Sequence, residues 1–574
     1  MPDPNEKFEV PTTSPATLSR KLRALEKMFA RASSGRRITF QVATGAPRAP
    51  ERTGVARCGV AAVEITPSVP VAMAGYSLAG TTAKSVRHPL FARALYIDDG
   101  VGHTAALCFV DLWCASRYLR HQAAAYTSTG AAGIGASQLI LAGTHTHAGP
   151  GNYFGNTLYD TIVSSDVLSG FQKKTADALA AVIAKCVNQA ALSAVPARLG
   201  VASAPVWYVS RNRAHPAFLE NKEAATWNID GPGQGAPPDL PNVSHFAIDP
   251  RVFCLAAVSQ ATNTLLGAFA TFSCHATALG EKNDEIDPDW PGVACNLAAQ
   301  ALASPSGSQP VVALADSAGA DITPMQCDGN HGDDLVQRAG QAVGSGIEQA
   351  ARQAVQNAGA FTVEIHYAEL SPSLETPVVA CLEKALPSPK SRHAWAIGAP
   401  AFGGAMDGHS SLFPHVVQES MVSETFDHKD PQFPKSLGLP GVEAILQKLF
   451  RLEPSDFVPI HTLKVAGHQF ATYPGEPTIT TAFRLERALK AATGAASASI
   501  IGYAGDYSGY YPTHEEYMLQ RYEGASMIRG RHASQAISDA LVDLATSRSI
   551  FNPPPRVKFS RFVSSSSEPR RTKD

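Results

Sequence analysis

The chain has 574 residues, 44% hydrophobic and 17% charged, and its 48 Lys and Arg nearly cancel its 50 Asp and Glu. That balance describes a globular protein with ample core and lacks the cationic excess of a nucleic-acid binder, so nucleic acid is excluded as an expected partner. Nine cysteines, odd in number and without CxxC pairs, signal neither a disulfide framework nor a cysteine-rich zinc site, which suits a reducing compartment.

The first residues, MPDPNEKFEVPTTSPATLSRKL, show no basic-then-apolar leader, and no run of roughly 18 apolar residues follows anywhere, so a cytoplasmic protein is expected. Residues 14–34 place Leu18, Leu22, Leu25, Met28 and Phe29 at helical spacing, with Arg20, Lys21, Arg23, Lys27 and Arg31 opposed only by Glu26. Such a helix packs on its own protein or a partner, or makes peripheral contact with an anionic membrane; the general rarity of membrane-surface helices favours packing. Residues 1–54 are read as an extension carrying this helix.

From 55 to 548, short β-rich apolar runs alternate with Ala-rich amphipathic stretches at 172–189, 292–304, 334–357 and 532–546, an α/β pattern. The expected architecture is a mixed β-sheet core with helices around it and a site at the strand ends. The stretch 385–440, dense in Pro, Gly, Ser and His, predicts a long loop-rich excursion near or over that site. Residues 549–574, with three consecutive prolines and four consecutive serines, hold too little apolar matter to pack alone and read as a flexible tail.

Four segments carry candidate chemistry. QLILAGTHTH reads as a strand entering the site, where period-two geometry would point His145 and His147 to one side. GAFATFSCHA ends at His275. TLKVAGHQFATYPGE ends as a strand at a Pro-Gly turn before Glu476, near the start of the helix PTITTAFRLERALKAA. ASIIGYAG delivers the Tyr507 and Tyr510 segment. Imidazole nitrogens, a carboxylate and an ionised phenol are zinc donors, and a zinc hydrolase needs three or four of them plus a position open to water. Each piece alone is weak, because a strand-end His is more often a hydrogen-bonded core residue and PGE is a common turn into a helix. The His-x-His pair is stronger, since two adjacent imidazoles on one face are costly to bury without a metal or an anion.

Taken in order, MAGYS (73–77), GTHTHAGPG (143–151), NRAHPAF (212–218), FSCHATALG (272–280), AGADITP (318–324), GAPAFGGAMDG (398–408), YPGEPT (473–478) and YSGYYPTHEEYMLQRYEGAS (507–526) resemble the signature segments of the neutral/alkaline non-lysosomal ceramidases. The resemblance spans roughly residues 55–545. It implies a zinc ion held by His145, His275, Glu476 and Tyr510, with His147 and Arg213 supporting these ligands or contacting substrate, and Tyr522 reaching the scissile carbonyl. It also implies hydrolysis of the N-acyl amide of ceramide, or of a related N-acyl lipid, to fatty acid and free amine. Glu476, if it binds zinc, is poorly placed to be a free base, which leaves His147 as the first candidate for proton transfer.

The departures from the family pattern are specific. Thr323 stands where a functionally important serine is usual, and Met325 where asparagine is usual. Threonine keeps the hydroxyl but adds a methyl that stiffens it, so either head-group preference shifts or Thr323 only caps a strand-to-turn junction. The family's secretory leader and C-terminal β-sandwich are expected to be absent. Two other readings stay open: a zinc hydrolase of a smaller, more polar amide or ester, and a silent lipid-binding relative. A deep apolar pocket above the metal distinguishes the lipid reading from the polar one.

Overall fold

A computed structural model describes residues 15–33, 36–43, 45–227, 247–325, 331–370, 395–405, 408–409, 420–422, 426–437, 452, 454–455, 457–547 and 556–563. Helix α1 (Pro15–Ser33) and strand β1 (Arg36–Ala43) lead into an eight-stranded sheet. Its strands are β2 (Arg57–Glu64), β3 (Phe91–Asp98), β4 (Thr104–Val110), β5 (Leu139–Gly143), β6 (Val195–Pro205), β7 (Arg251–Ser259), β8 (Leu265–Phe272) and β9 (Val311–Asp316). They lie in the order β9-β8-β7-β6-β2-β3-β4-β5. Only the β4/β5 and β8/β9 pairs are parallel. Parallel neighbours need a crossover, and helices α2 (Arg117–Thr129) and α4 (Asp289–Ala301) supply it, as the alternating pattern predicted.

Two further helices, α3 (Lys173–Leu192) and α5 (Asp333–Gln356), cover one face of this sheet. The strands alternate accordingly. In β3, Ala92 and Ala94 join the core under α3, while Leu95 and Ile97 point the other way. There they meet Leu463, Val465, Phe470 and Ile501 from a second sheet, so the two sheets share an apolar layer. The second sheet holds β10 (Glu364–Leu370), β11 (Val458–Val465), β12 (His468–Thr472) and β13 (Ser497–Ile501), in that order. Helices α6 (Ile479–Thr493) and α7 (Ala533–Thr546) pack on it from outside. The expected mixed core with surrounding helices is thus a helix, sheet, sheet, helix stack.

Two expectations need correction. The run TLKVAGHQFAT is a hairpin, not one strand: Ala466 and Gly467 take positive φ (+51° and +74°), and Val465 pairs directly with His468 across this two-residue turn. Residues 556–563 do not belong to a free tail. They form β14 (Arg556–Val563), which pairs antiparallel with β1 along its whole length. Alternation explains it, for Val557 and Phe559 are buried on one side and meet Val42 and Phe40 in register. Much of 385–440 lies outside the described residues; where described, Ile397, Ala401, Phe402 and Ala405 line the cavity discussed below. Helix α1 packs on the protein through Leu22 and Phe29. Among the described residues no helix is long and apolar enough to cross a membrane.

Candidate metal centre and active site

The loops after β5, β8, β12 and β13 converge at one end of the stack, where α/β sheets place their chemistry. Strand β5 stops at Gly143, and His145 takes a φ of +65°, so the chain leaves extended geometry before the first histidine. Strand periodicity therefore does not align His145 with His147; a left-handed turn does, bringing their Nε2 atoms to 3.2 Å. A non-glycine residue in that conformation stores strain of about 1–3 kcal/mol, tolerated where function requires it. Thr146 bridges to Ala276, which ties this turn to the His275 segment after β8.

Glu476 arrives by another route. Gly475 has φ +148°, and a Cβ there would sit 2.2 Å from the Gly509 carbonyl, so glycine alone permits the approach. That approach lets Glu476 and Pro477 pair with Tyr510 and Tyr511, which sets Tyr510 beside Glu476.

The donor chemistry fits a cation. His145 donates its Nδ1–H to the Trp113 carbonyl (2.8 Å), and His275 donates its Nδ1–H toward the Gly319 and Ile322 carbonyls (2.5 and 3.0 Å). Each Nε2 is left with a lone pair; both face Glu476 Oε2, at 3.8 Å from His145 and 3.3 Å from His275, and the Arg213 guanidinium reaches His275 Nε2 only at 3.5 Å. Acceptors facing acceptors in a fully buried place are unfavourable unless a positive charge lies among them. Bonds of about 2.0–2.1 Å to a zinc would set neighbouring donors about 3.3 Å apart, which the His275–Glu476 pair matches and the His145–Glu476 pair exceeds by 0.5 Å. His145, His147 and His275 together offer ligand atoms within 4.8 Å of one another.

Ionisation agrees with this. Burial pushes the His145 imidazole down to about 3, and burial with the neighbouring His145, His275 and Arg213 pushes His147 well below its usual range, so both are neutral bases near pH 7. Burial works against the Glu476 carboxylate, while the Tyr507 hydroxyl, donating to Oε1, favours its ionised form. Burial and Glu476 push the Tyr510 phenol well up, so without a cation it stays protonated.

Above this cluster lies a cavity of about 690 Å³, within the range of small-molecule sites. His147, His275, Arg213, Tyr510 and Tyr522 line its floor, whereas His145 and Glu476 sit beneath the lining. Arg213 is held by the Ala320 carbonyl (2.7 Å) and Glu523 (3.2 Å), with its guanidinium 5.4 Å from the Tyr522 ring. The Tyr510 and Tyr522 rings meet edge-on at 5.4 Å. Thr323 is not brought to the cavity. It is fully buried in the short strand Ile322–Pro324, paired with Arg211, and its hydroxyl has no hydrogen-bond partner among the described residues.

Several residues of the site escaped the sequence reading. Trp113 donates its indole N–H to His147 Nε2 (3.3 Å) as well as accepting from His145. Tyr503 packs tilted against His145 at 3.9 Å between ring centres, and Tyr76 meets His147 edge-on at 4.6 Å. The MAGYS segment was visible, but not that Gly75 exists to admit the His147 ring, which a Cβ would approach to 2.4 Å. The DLWC turn after β4 was a detectable strand-end signal for Trp113.

Comparison with known proteins places this geometry. The family profile described as neutral/alkaline non-lysosomal ceramidase, N-terminal, matches residues 57–370 and 392–539. The chain is 26% identical over 508 residues to the neutral ceramidase of Pseudomonas aeruginosa, covering 85% of this chain and 71% of that one. It is 25% identical over 441 residues to the neutral ceramidase of Mycobacterium tuberculosis, covering 71% and 62%. Two solved structures share the fold: a ceramidase complexed with C2 (TM-score 0.68, 23% identity, 87% and 77% coverage) and the neutral ceramidase of Pseudomonas aeruginosa (TM-score 0.65, 22% identity, 88% and 78% coverage). With the profile spanning most of its length and the histidine cluster at the strand ends, the chain belongs to the neutral/alkaline non-lysosomal ceramidase family, hydrolases of the ceramide amide bond.

Proposed function

We propose that the chain is a zinc-dependent amidohydrolase that cleaves the N-acyl bond of ceramide or a related N-acyl lipid, releasing fatty acid and amine. The observation that carries this reading is the convergence of His145, His275 and Glu476 beneath a largely apolar cavity whose floor holds His147, Arg213, Tyr510 and Tyr522. His145, His275, Glu476 and Tyr510 hold the zinc. Bound there, zinc supplies a Lewis acid and an acidified water.

The remaining work falls to side chains on the substrate side of the cluster. His147 is neutral and lines the cavity, where it can accept a proton and return it to the leaving amine. The Tyr522 hydroxyl and the Arg213 guanidinium are donors on the same wall, suited to the oxygen of a tetrahedral oxyanion. One such donor is commonly worth about 3–4 kcal/mol. Thr323 acts at a distance in this scheme, one residue beyond the carbonyl that orients His275.

The apolar walls, which include Leu78, Ile162, Val163 and Phe402, favour an acyl chain over a small polar amide. Metal analysis of the purified protein, paired with fatty acid release from a short-chain fluorescent ceramide before and after chelation and zinc add-back, tests the proposal. About one zinc per chain with chelator-sensitive release is expected. Stoichiometric zinc without release would move the assignment to another amide or ester, and absence of bound metal would leave a silent lipid-binding relative.

A further inference from the structure

One wall of the cavity comes from outside the family-matched residues. Helix α1 precedes the match, which begins at residue 57, yet Leu25 and Phe29 line the same cavity as His147 and Tyr522. The helix turns an apolar stripe inward. Leu22 and Phe29 are buried, and Leu25 and Met28 pack half-buried against the same core, at the three- and four-residue spacing of one helix face. Arg20, Arg23 and Lys27 are exposed.

The helix is also anchored. Three residues after the helix ends, β1 begins, and it pairs with β14 from Arg36↔Val563 to Ala43↔Arg556. Phe40 of β1 packs on Phe171 (5.7 Å), Tyr118 (5.8 Å) and Phe559 (5.9 Å). The stripe is thereby held against the cavity as a built wall, not hung there as a loose terminus.

We propose that α1 determines acyl-chain selectivity, with Leu25 and Phe29 forming the surface against which the acyl chain lies while its carbonyl sits at the His147 and Tyr522 end. This deepens the reading of the site as an N-acyl lipid hydrolase and rests on it. Each methylene withdrawn from water against such a wall is worth about 0.8 kcal/mol, about fourfold in kcat/KM. Longer chains gain by that factor until they outrun the wall. A bulkier residue at position 25 removes the gain from long chains first.

The test uses the full zinc-loaded chain. kcat/KM is measured on N-acetyl, N-hexanoyl, N-lauroyl and N-palmitoyl sphingosine for the wild type, Leu25→Trp, Leu25→Ala and Lys27→Ala. Calorimetric Kd values for laurate and palmitate are taken on the same proteins. For Leu25→Trp the palmitoyl-to-acetyl ratio of kcat/KM and the palmitate-to-laurate ratio of affinity are each expected to fall at least about tenfold, the worth of two methylenes. Leu25→Ala, which withdraws apolar surface from the chain, should lower both ratios by less than Leu25→Trp does, and Lys27→Ala, on the exposed face, should leave them within about twofold. Ratios unmoved in Leu25→Trp, in a protein of unchanged Tm, overturn the proposal. A wild type that binds fatty acids in a length-dependent way but hydrolyses none of the amides rejects the reaction assigned above, and the affinity ratios then still judge the wall. A wild type that neither binds nor hydrolyses rejects both.

Discussion

Replacing Tyr507 by phenylalanine isolates a single hydrogen bond in the proposed zinc site. The Tyr507 hydroxyl donates to Glu476 Oε1 at 2.6 Å, and its ring is held independently by Trp113 (4.2 Å) and Tyr159 (4.7 Å). Tyr507→Phe therefore removes one oxygen and keeps the packing. A second hydroxyl, Tyr503, lies 3.4 Å from Oε2, at the long limit of a hydrogen bond. A buried hydrogen bond to a charged group contributes about 1.5–3 kcal/mol, which is about 10- to 100-fold in an equilibrium constant. The same range is typical when a residue that orients a metal ligand is lost. Zinc affinity, measured by competition with a chromophoric chelator, should fall by that factor while the Tm of the metal-free protein changes little. Zinc affinity within about threefold of the wild type, in a folded protein, would refute either the role of Tyr507 or the placing of Glu476 at the metal.

Other expectations follow from the same geometry. His275→Ala should abolish zinc binding and fatty acid release together while the far-ultraviolet circular dichroism stays native; retained turnover would remove His275 from the ligand set. Away from the site, Glu369 accepts from Arg117, Arg120 (2.8 Å) and His121 in a fully buried network. Glu369→Gln leaves the arginines uncompensated and should lower the unfolding free energy by about 3–5 kcal/mol in urea titrations; a loss below about 1 kcal/mol would contradict this account. Burial opposes the Glu369 carboxylate, but His121, Arg117 and Arg120 outweigh it and hold its folded pKa well below the usual range. Because the folded value is depressed, this stabilisation is complete above the unfolded value of about 4.3 and is lost as pH falls toward the folded value. The gap between wild type and Glu369→Gln should accordingly be flat above about pH 5 and shrink below it.

Much of the site could be read from one dimension because its chemistry is carried by side chains with few structural substitutes. The segments THTHAGP, SCHATAL, YPGEP and the Tyr-rich loop are each weak signals alone, but together and in order they point to metal donors, and hydrophobic runs of strand length alternating with Ala-rich helices imply the α/β core. The sequence could not reveal how those donors are aimed. His145 faces His147 through a positive-φ turn, Tyr510 is placed by a glycine-dependent pairing with Glu476, and the orientation of His145 and His275 comes from the carbonyls of Trp113, Gly319 and Ile322. Backbone carbonyls leave no trace in residue identity, so these supports were invisible. The chain ends show the same limit. β1 and β14 are separated by more than five hundred residues, and each alone is a short strand with no partner in sight; their pairing, and with it the seat of α1 over the cavity, exists only once burial of Phe40, Val42, Val557 and Phe559 in a shared core offsets the entropy of closing that loop.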